Sequence, residues 1–267
     1  MTRILTAAAL FAIVIPVLIF SSTVVFPIFL ALAGVMCIWE ICRCKGIQKK
    51  VYLWLPAALY VAFAPFLTYF SSYGSVFFAV TALFLVYIYF SGVFYYGKVN
   101  TDDLSYVAFF GVYLAAGLFS VVELHTEQPS LYLLVFIAPW VSDAAAMYTG
   151  KLFGKRKLCP NISPKKTVAG AVGSTVGTLA AVLAYIFVVN TRFGGNYNYL
   201  IFALIALPAA AVIQLGDLSA SVVKRNFGVK DYGNLLPGHG GVMDRCDSIL
   251  PTAMYGFLVM YIFNLVA

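Results

Sequence analysis

Side chains that could bind phosphate and metal are concentrated between residues 214 and 251. Four of them share one face of a helix through the spacing i, i+4, i+7 and i+8: Asp217, Ser221, Lys224 and Arg225. Asp217 directly follows an apolar run, and a carboxylate near a membrane interior is costly unless it is paired or bound to metal. Asp217 is therefore either a functional ligand or a helix-end anchor that pairs with Lys224 or Arg225.

Further carboxylates point to a metal ion. Asp244 and Asp247 are three residues apart at the start of the last apolar segment, where we expect them to share a helical face. Asp143 lies near the end of an earlier segment, where its alternative role is an N-cap or a helix-pairing group. Oxygen ligands without a His or Cys cluster favour Mg²⁺ over zinc. We predict a Mg²⁺ ion with two of these four Asp residues as ligands, while the other two support the ligands.

A glycine-rich loop connects Asn226 to Met243. Its tract Gly238-His239-Gly240-Gly241 would allow backbone N–H groups to approach a ligand closely. Three residues of phosphate-binding types accompany this tract: Lys230 before it, His239 within it and Arg245 after it. This loop is predicted to bind phosphate.

A second basic loop lies between residues 150 and 168. We predict a compact polar turn here, at the start of a helix where phosphate is attracted, and its candidate phosphate-binding residues are Ser163, Lys165, Lys166 and Thr167. The run from Lys151 to Lys157 could instead bind anionic headgroups by charge alone. We expect Gly170, Gly173 and Gly177 to allow close packing of helices rather than to bind a ligand.

The composition shows what must position these residues. Apolar types make up 63% of the 267 residues and charged types only 10%, which excludes a soluble globular domain. Nine apolar segments predict an all-α polytopic membrane protein: roughly residues 4–20, 23–41, 52–70, 75–96, 105–124, 131–148, 168–190, 199–220 and 249–266. A basic excess in such a protein indicates cytoplasmic loops rather than a nucleic-acid partner.

The loops also orient the chain. With nine spans, 16 of the 17 Lys and Arg residues fall on one side, and Arg192 is on the other. The positive-inside rule then places the N-terminus in the cytoplasm and Ala267 outside. Both polar loops would lie at the cytoplasmic membrane interface, so metal, phosphate and lipid meet there. Phosphoryl or nucleotidyl transfer at the inner leaflet is the chemistry that this combination favours.

The second loop resembles the signature of the CDP-diacylglycerol synthase, or phosphatidate cytidylyltransferase, family. The matching positions are Ser221, Lys224-Arg225, Lys230-Asp231, His239-Gly240-Gly241 and Asp244-Arg245-Cys246-Asp247. Cys246 departs from the aliphatic residue or Thr that is usual in the family. Upstream, Asp143, Gly150, Gly154 and Ser163–Thr167 are similar too, but Val168-Ala169-Gly170 replaces the family's Trp-Glu-Gly. The resemblance is strong over about 139–251, and before that it extends only to hydropathy.

The resemblance implies the reaction of CTP with phosphatidate to give CDP-diacylglycerol and pyrophosphate. It implies Mg²⁺ dependence, K⁺ as a second metal ion and a homodimer, in the bacterial inner membrane. It also implies that the chemistry is carried by nine residues: Asp217, Ser221, Lys224, Arg225, Lys230, His239, Asp244, Arg245 and Asp247. We expect helices of 1–130 to precede a catalytic region at 131–267 within one membrane-embedded unit. The alternatives are a CTP-dependent lipid-alcohol kinase, which would transfer the γ-phosphoryl group, and a membrane transporter.

Overall fold

The computed structural model describes residues 12, 14–18, 21, 24–70, 74–235, 238 and 240–266. The predicted first segment, 4–20, lies largely outside the described residues. The helices are α1 (Val25–Cys44), α2 (Val51–Phe63), α3 (Ser75–Phe94), α4 (Thr101–Glu127), α5 (Leu134–Phe153), α6 (Val168–Arg192), α7 (Tyr199–Asn226), α8 (Met243–Cys246) and α9 (Ile249–Val266). A 3₁₀ segment, Ala64–Phe70, continues α2, and strands β1 (Lys157–Cys159) and β2 (Ser163–Thr167) form a hairpin.

Seven stretches of the described chain are long and apolar enough to cross a membrane. They are α1, Val51–Phe70, α3, α4, α6, α7 and Met243–Asn264. Helix α5 occupies the predicted segment 131–148 but is not among the seven. The all-α polytopic fold is confirmed, and the count of nine spans stays a prediction.

Helix α3 shows why this protein is integral to a membrane. Its sequence is apolar on all sides, and only Phe84, Ile88 and Ser91 are buried. The side chains of Phe78, Tyr89 and Phe94 are 76–78% exposed. A helix that is apolar all round needs an apolar environment on every side. The rest of the protein covers only a narrow strip of the surface of α3. The remaining surface is thus suited to the apolar interior of a membrane.

The chain forms two compact units, each built from two stretches of sequence. The first contains Met1–Val122 and Phe227–Cys246, and the second contains Glu123–Asn226 and Asp247–Ala267. The glycine-rich loop and α8 thus belong to the first unit, although the long helices α7 and α9, which precede and follow them in sequence, belong to the second. The predicted division near residue 130 separates N-terminal helices from a catalytic region by function. These compact units do not test it, and it stays a prediction.

The first unit is built on α1, whose inner face is fully buried. Ile38 and Ile41 of α1, Leu53 of α2 and Leu114 of α4 are all fully buried, and α1 packs against α2. At the start of α4, the Asp103 carboxylate accepts a hydrogen bond from Lys50 Nζ at 2.6 Å, and Lys45 Nζ lies 3.4 Å from it. These ion pairs link the loop after α1 to α4.

The second unit contains the close packing that its glycines predict. A Cβ added to Gly173 would collide with Thr149 of α5, and one added to Gly177 would meet Ala145. Between the same helices, the hydroxyls of Ser142 and Ser174 are hydrogen-bonded at 2.5 Å, and both side chains are buried. Small residues at helical spacing allow α5 and α6 to approach closely, as expected.

Candidate active site

The predicted turn at Ser163–Thr167 is in fact the second strand of an antiparallel hairpin. Lys157 pairs with Thr167, and Val168 N–H donates to the Arg156 carbonyl at 3.0 Å. The turn prediction was wrong because two short, lysine-rich strands carry no hydrophobic alternation that would reveal them. The hairpin fixes the direction in which the chain enters α6.

Thr167 ends the hairpin and caps α6. Its hydroxyl accepts a hydrogen bond from Gly170 N–H at 3.0 Å, and the residue is only 6% exposed. The Thr167 side chain also fills the space where a Cβ on Gly154 would be, 2.8 Å away. Thr167 therefore has a structural role as an N-cap, while its binding of phosphate stays a prediction.

Lys166 and Asp217 form an ion pair in the second unit. Lys166 Nζ lies 2.6 Å from the Asp217 carboxylate, and both side chains remain about a quarter exposed. The sequence suggested Lys224 or Arg225 as the partner of Asp217, but the cation that the structure places against it comes from the hairpin. The two predicted site residues, one for phosphate and one for metal, are thus adjacent.

The C-terminal turns of α7 carry further signature residues of this unit. Ser221 and Lys224 are each 8% exposed, whereas Arg225 is exposed. Arg225 Nε donates to the carbonyl of Ile162 at 3.3 Å, which joins the end of α7 to the hairpin turn. Lys165 is exposed, and Ser163 is half-buried.

Asp143 lies in the middle of α5 rather than at its start. The helix begins at Leu134 with Leu133 as its N-cap residue, so the N-cap interpretation of Asp143 is wrong. Its side chain is exposed. A role for Asp143 as a metal ligand stays a prediction.

The glycine-rich loop of the first unit folds around Asp244. One oxygen of the Asp244 carboxylate, Oδ2, accepts hydrogen bonds from Tyr232 N–H at 2.8 Å and from Gly241 N–H at 2.9 Å. Gly240 has a φ of +84°, and a Cβ there would lie 2.8 Å from the same oxygen. Glycine is required at residue 240 both by the backbone conformation and by the close approach.

Glu40 is a residue that the motif analysis missed. It lies on α1, is 1% exposed, and its carboxylate accepts hydrogen bonds from Val242 N–H at 3.1 Å and Met243 N–H at 2.9 Å. Side chains at Gly233 or Gly241 would collide with it. The available signal was that Glu40 is the only charged residue in the predicted segment 23–41, the same argument that identified Asp217.

Asp244 and Asp247 do not share one continuous helix, contrary to the prediction. Asp244 lies in the one-turn helix α8, while Asp247 lies in the turn before α9 and is 8% exposed. Lys230 and Arg245 are exposed. His239 lies outside the described residues, so its predicted role is not addressed by the structure.

The donor groups suit Mg²⁺ better than a transition metal. No group of three or more His, Cys, Asp or Glu that could hold a metal is found in the described part of the chain. Mg²⁺ commonly takes only one or two carboxylates and fills its shell with water and substrate phosphates. A carboxylate offers about four lone-pair sites, so the contacts seen at Asp217 and Asp244 leave each of them able to act as a ligand.

Comparison with known proteins decides the family. The model of the cytidylyltransferase family matches residues 1–263. The chain belongs to the cytidylyltransferase family. The chain is similar to proteins named phosphatidate cytidylyltransferase. The Haemophilus influenzae phosphatidate cytidylyltransferase is 40% identical to it over 148 residues, which cover 54% of this chain and 51% of the relative.

Two further relatives carry the same name. The Bacillus subtilis phosphatidate cytidylyltransferase is 37% identical over 166 residues, covering 61% of this cytidylyltransferase family member and 60% of the relative. A Staphylococcus aureus phosphatidate cytidylyltransferase is 40% identical over 138 residues, covering 52% of each. The chain thus spans about half to three fifths of the length of the curated relatives it matches.

Proposed function

We propose that this protein is a phosphatidate cytidylyltransferase, a nucleotidyltransferase of phospholipid biosynthesis that converts CTP and phosphatidate into CDP-diacylglycerol and pyrophosphate. The observation that carries the proposal is the contact of Lys166 with Asp217. A reaction between two polyanions needs cations for phosphate and a carboxylate for a divalent metal side by side. Relatives from three bacteria are named for this activity, which supports the choice of substrates.

The nucleophile comes from the lipid. A phosphate oxygen of phosphatidate, anionic at neutral pH, forms a bond to the α-phosphorus of CTP, and the bond from that phosphorus to the bridging oxygen of pyrophosphate breaks. No proton has to be removed from the nucleophile. Catalysis then depends on holding two phosphates in line and balancing the charge on the leaving group.

The basic residues of the signature would bind these phosphates. In the second unit they are Lys165, Lys166, Lys224 and Arg225, with the hydroxyls of Ser163 and Ser221 as hydrogen-bond donors. In the first unit they are Lys230 and Arg245, together with backbone N–H groups of the glycine-rich loop. His239 is expected to act at the same loop.

Mg²⁺ is proposed as the cofactor, with Asp217, Asp244 and Asp247 as ligands and Asp143 as a further candidate. When bound, the ion would neutralise charge on the triphosphate. K⁺ as a second metal ion and a homodimeric assembly are further parts of the proposal, and both rest on the family resemblance. We place the protein in the bacterial inner membrane with its N-terminus in the cytoplasm, because the basic loops follow the positive-inside rule.

The proposal is tested with full-length protein purified in detergent. Phosphatidate, Mg²⁺ and each of CTP, dCTP, ATP, GTP and UTP would be supplied separately, with pyrophosphate and nucleotide-linked lipid measured in the same reaction. We expect equal amounts of pyrophosphate and CDP-diacylglycerol with CTP, and at least about 100-fold less of both products from the Asp217→Asn variant at limiting Mg²⁺. Release of pyrophosphate without a nucleotide-lipid, or products with every nucleotide alike, would refute the assignment.

A further inference from the structure

The second unit contains an apolar cavity that the proposed reaction does not use. Its volume is about 430 Å³, within the range of about 300–1,000 Å³ that is typical of small-molecule sites. The wall is formed by the end of α4 and by α5, α6, α7 and α9, and it is mostly aliphatic and aromatic. Such a volume can hold a flexible hydrocarbon chain.

The cavity is elongated along the helices. On α7 its lining runs from Asn198, the residue before the helix, to Ala209, and on α9 from Thr252 to Asn264. At 1.5 Å per residue these stretches correspond to about 17–18 Å. One leaflet contributes about half of the 30 Å hydrocarbon core of a bilayer. The cavity therefore has the length of a single acyl chain in one leaflet.

The two ends of the cavity differ in polarity. Gln128, Asn196, Asn198 and Asn264 line it at or beyond the ends of their helices. Primary amides donate and accept hydrogen bonds without charge, which suits the ester groups of a glycerophospholipid.

In the deeper part of the wall, the hydroxyls of Tyr255 and Thr252 already donate to backbone carbonyls. The Tyr255 hydroxyl donates to the Ile205 carbonyl at 3.0 Å, and the Thr252 hydroxyl donates to the Ser248 carbonyl at 2.6 Å. Because these donors already have partners, the deep wall demands no hydrogen bond from an occupant.

The amide end lies far from the phosphate-binding residues of the same unit. Asp217 is 19 residues after Asn198 along α7, which corresponds to about 28 Å, close to the full thickness of the hydrocarbon core. A lipid with its ester groups at the amides therefore comes from the leaflet opposite to Lys166 and Asp217. Its headgroup cannot be the one that reacts.

We infer that this cavity is a binding site for one acyl chain of a diacyl glycerophospholipid from that opposite leaflet, with the ester near Asn198 and Asn264 and the chain end near Ala209 and Thr252. The inference is independent of the proposed reaction and of the nucleotide.

Photolabelling tests both occupancy and direction. The full-length protein would be reconstituted into vesicles of phosphatidylethanolamine and phosphatidylglycerol containing phosphatidylcholine with a diazirine either beside the acyl carboxyl or at the chain end. After irradiation without CTP, peptide mass spectrometry locates the adducts. We expect the carboxyl-side probe to label the segments around Asn198 and Asn264, and the chain-end probe to label those around Ala209 and Thr252. The reverse pattern, which a substrate lipid from the other leaflet would give, overturns the inference.

Filling the cavity provides the matched comparison. Val259 lines the cavity, whereas the adjacent Leu258 does not line it and is 52% exposed. Val259→Phe should lower cavity labelling by at least about tenfold, since loss of about two buried methylenes already accounts for such a factor. Leu258→Phe should leave it unchanged. Equal labelling in both variants contradicts the site, and if Val259→Phe does not fold, the direction of labelling in the unmodified protein still decides the question.

Discussion

The carboxylate of Glu40 accepts a hydrogen bond from the backbone N–H of Met243, 2.9 Å away and 203 residues later in the chain. A second bond, from Val242 N–H, reaches its other oxygen. Glu40 thus holds the start of helix α8, which carries Asp244. A negative charge at the start of a helix, together with its free N–H groups, is a favourable arrangement. In this way a residue of α1 is joined directly to the end of the glycine-rich loop.

Replacing Glu40 tests whether the loop depends on this contact. In Glu40→Gln, one acceptor oxygen becomes an NH₂ group that faces a buried backbone N–H, and such a lost bond costs about 1–3 kcal/mol. We expect a lower melting temperature and a lower kcat. Glu127→Gln, at the exposed end of α4, is the control that should match the unmodified protein. If Glu40→Gln melted and turned over normally, the contact would have no role.

Asp244 combines a structural contact with the proposed binding of metal, and two substitutions separate these roles. Asn retains an oxygen that can accept from Tyr232 and Gly241, so Asp244→Asn should preserve the melting temperature. It should nevertheless lower turnover by at least about 100-fold, because the charge that binds metal is lost. Asp244→Ala removes the acceptor as well and should also lower the melting temperature. Normal turnover of Asp244→Asn at limiting Mg²⁺ would exclude Asp244 as an essential ligand.

Asp217→Asn addresses the other unit. We expect a loss of turnover of at least about 100-fold or a sharp increase in the Mg²⁺ requirement. Asp102→Asn is the control, because Asp102 is exposed and contacts Lys45 only through its backbone carbonyl among the contacts described. Activity of Asp217→Asn equal to that of Asp102→Asn across Mg²⁺ concentrations would remove Asp217 from the ligand set.

Lys166 should matter more than the basic run beside it. Lys166→Ala removes a cation that lies against Asp217 and should lower kcat/KM for CTP or phosphatidate at least about tenfold, equivalent to about 1.4 kcal/mol. The triple variant Lys155→Ala/Arg156→Ala/Lys157→Ala should lose less. Its loss should shrink when salt is added, because attraction to anionic lipid is screened.

Activity measured at high salt distinguishes the Lys166→Ala variant from the triple variant most clearly. Substituting Arg156 leaves its backbone carbonyl, which accepts from Val168 N–H, so the hairpin should persist in the triple variant. If that variant were the more damaged one at high salt, the catalytic assignment of Lys166 would be wrong.

Orientation in the membrane can be tested with single cysteines. Starting from a cysteine-free variant, Lys155→Cys and Asn234→Cys should resist an impermeant thiol reagent in intact cells, because both loops are predicted to face the cytoplasm. Asn196→Cys, in the loop before α7, should react. Labelling at residues 155 or 234 together with protection at 196 would reverse the proposed topology.

Local patterns predicted local structure well. Gly173 and Gly177 lie about one helical turn apart, and that spacing predicts close packing against another helix. The structure confirms the packing and identifies the neighbours as Thr149 and Ala145 of α5. The helical face of Asp217, Ser221 and Lys224 was likewise predictable, because all three belong to α7.

Contacts between distant residues could not be predicted in this way. The Lys166–Asp217 pair depends on a hairpin whose short strands have no periodic signal, and the Glu40–Met243 contact joins α1 to α8 across most of the chain. Periodicity describes which face a side chain occupies but not which element it meets. The break between α8 and α9 at Asp247 was also missed, because the spacing of two Asp residues does not reveal where a helix is interrupted.

Nucleotidyl transfer to a lipid phosphate can be followed through the fate of the CTP phosphates. The purified protein would be given phosphatidate, Mg²⁺ and CTP radiolabelled at either the α- or the γ-phosphate, and the label in extracted lipid would be counted. We predict that α-label enters the lipid in a one-to-one ratio with released pyrophosphate, while γ-label remains in the water-soluble pyrophosphate. Entry of γ-label into the lipid, without α-label, would show that the protein is a CTP-dependent lipid kinase and not a cytidylyltransferase.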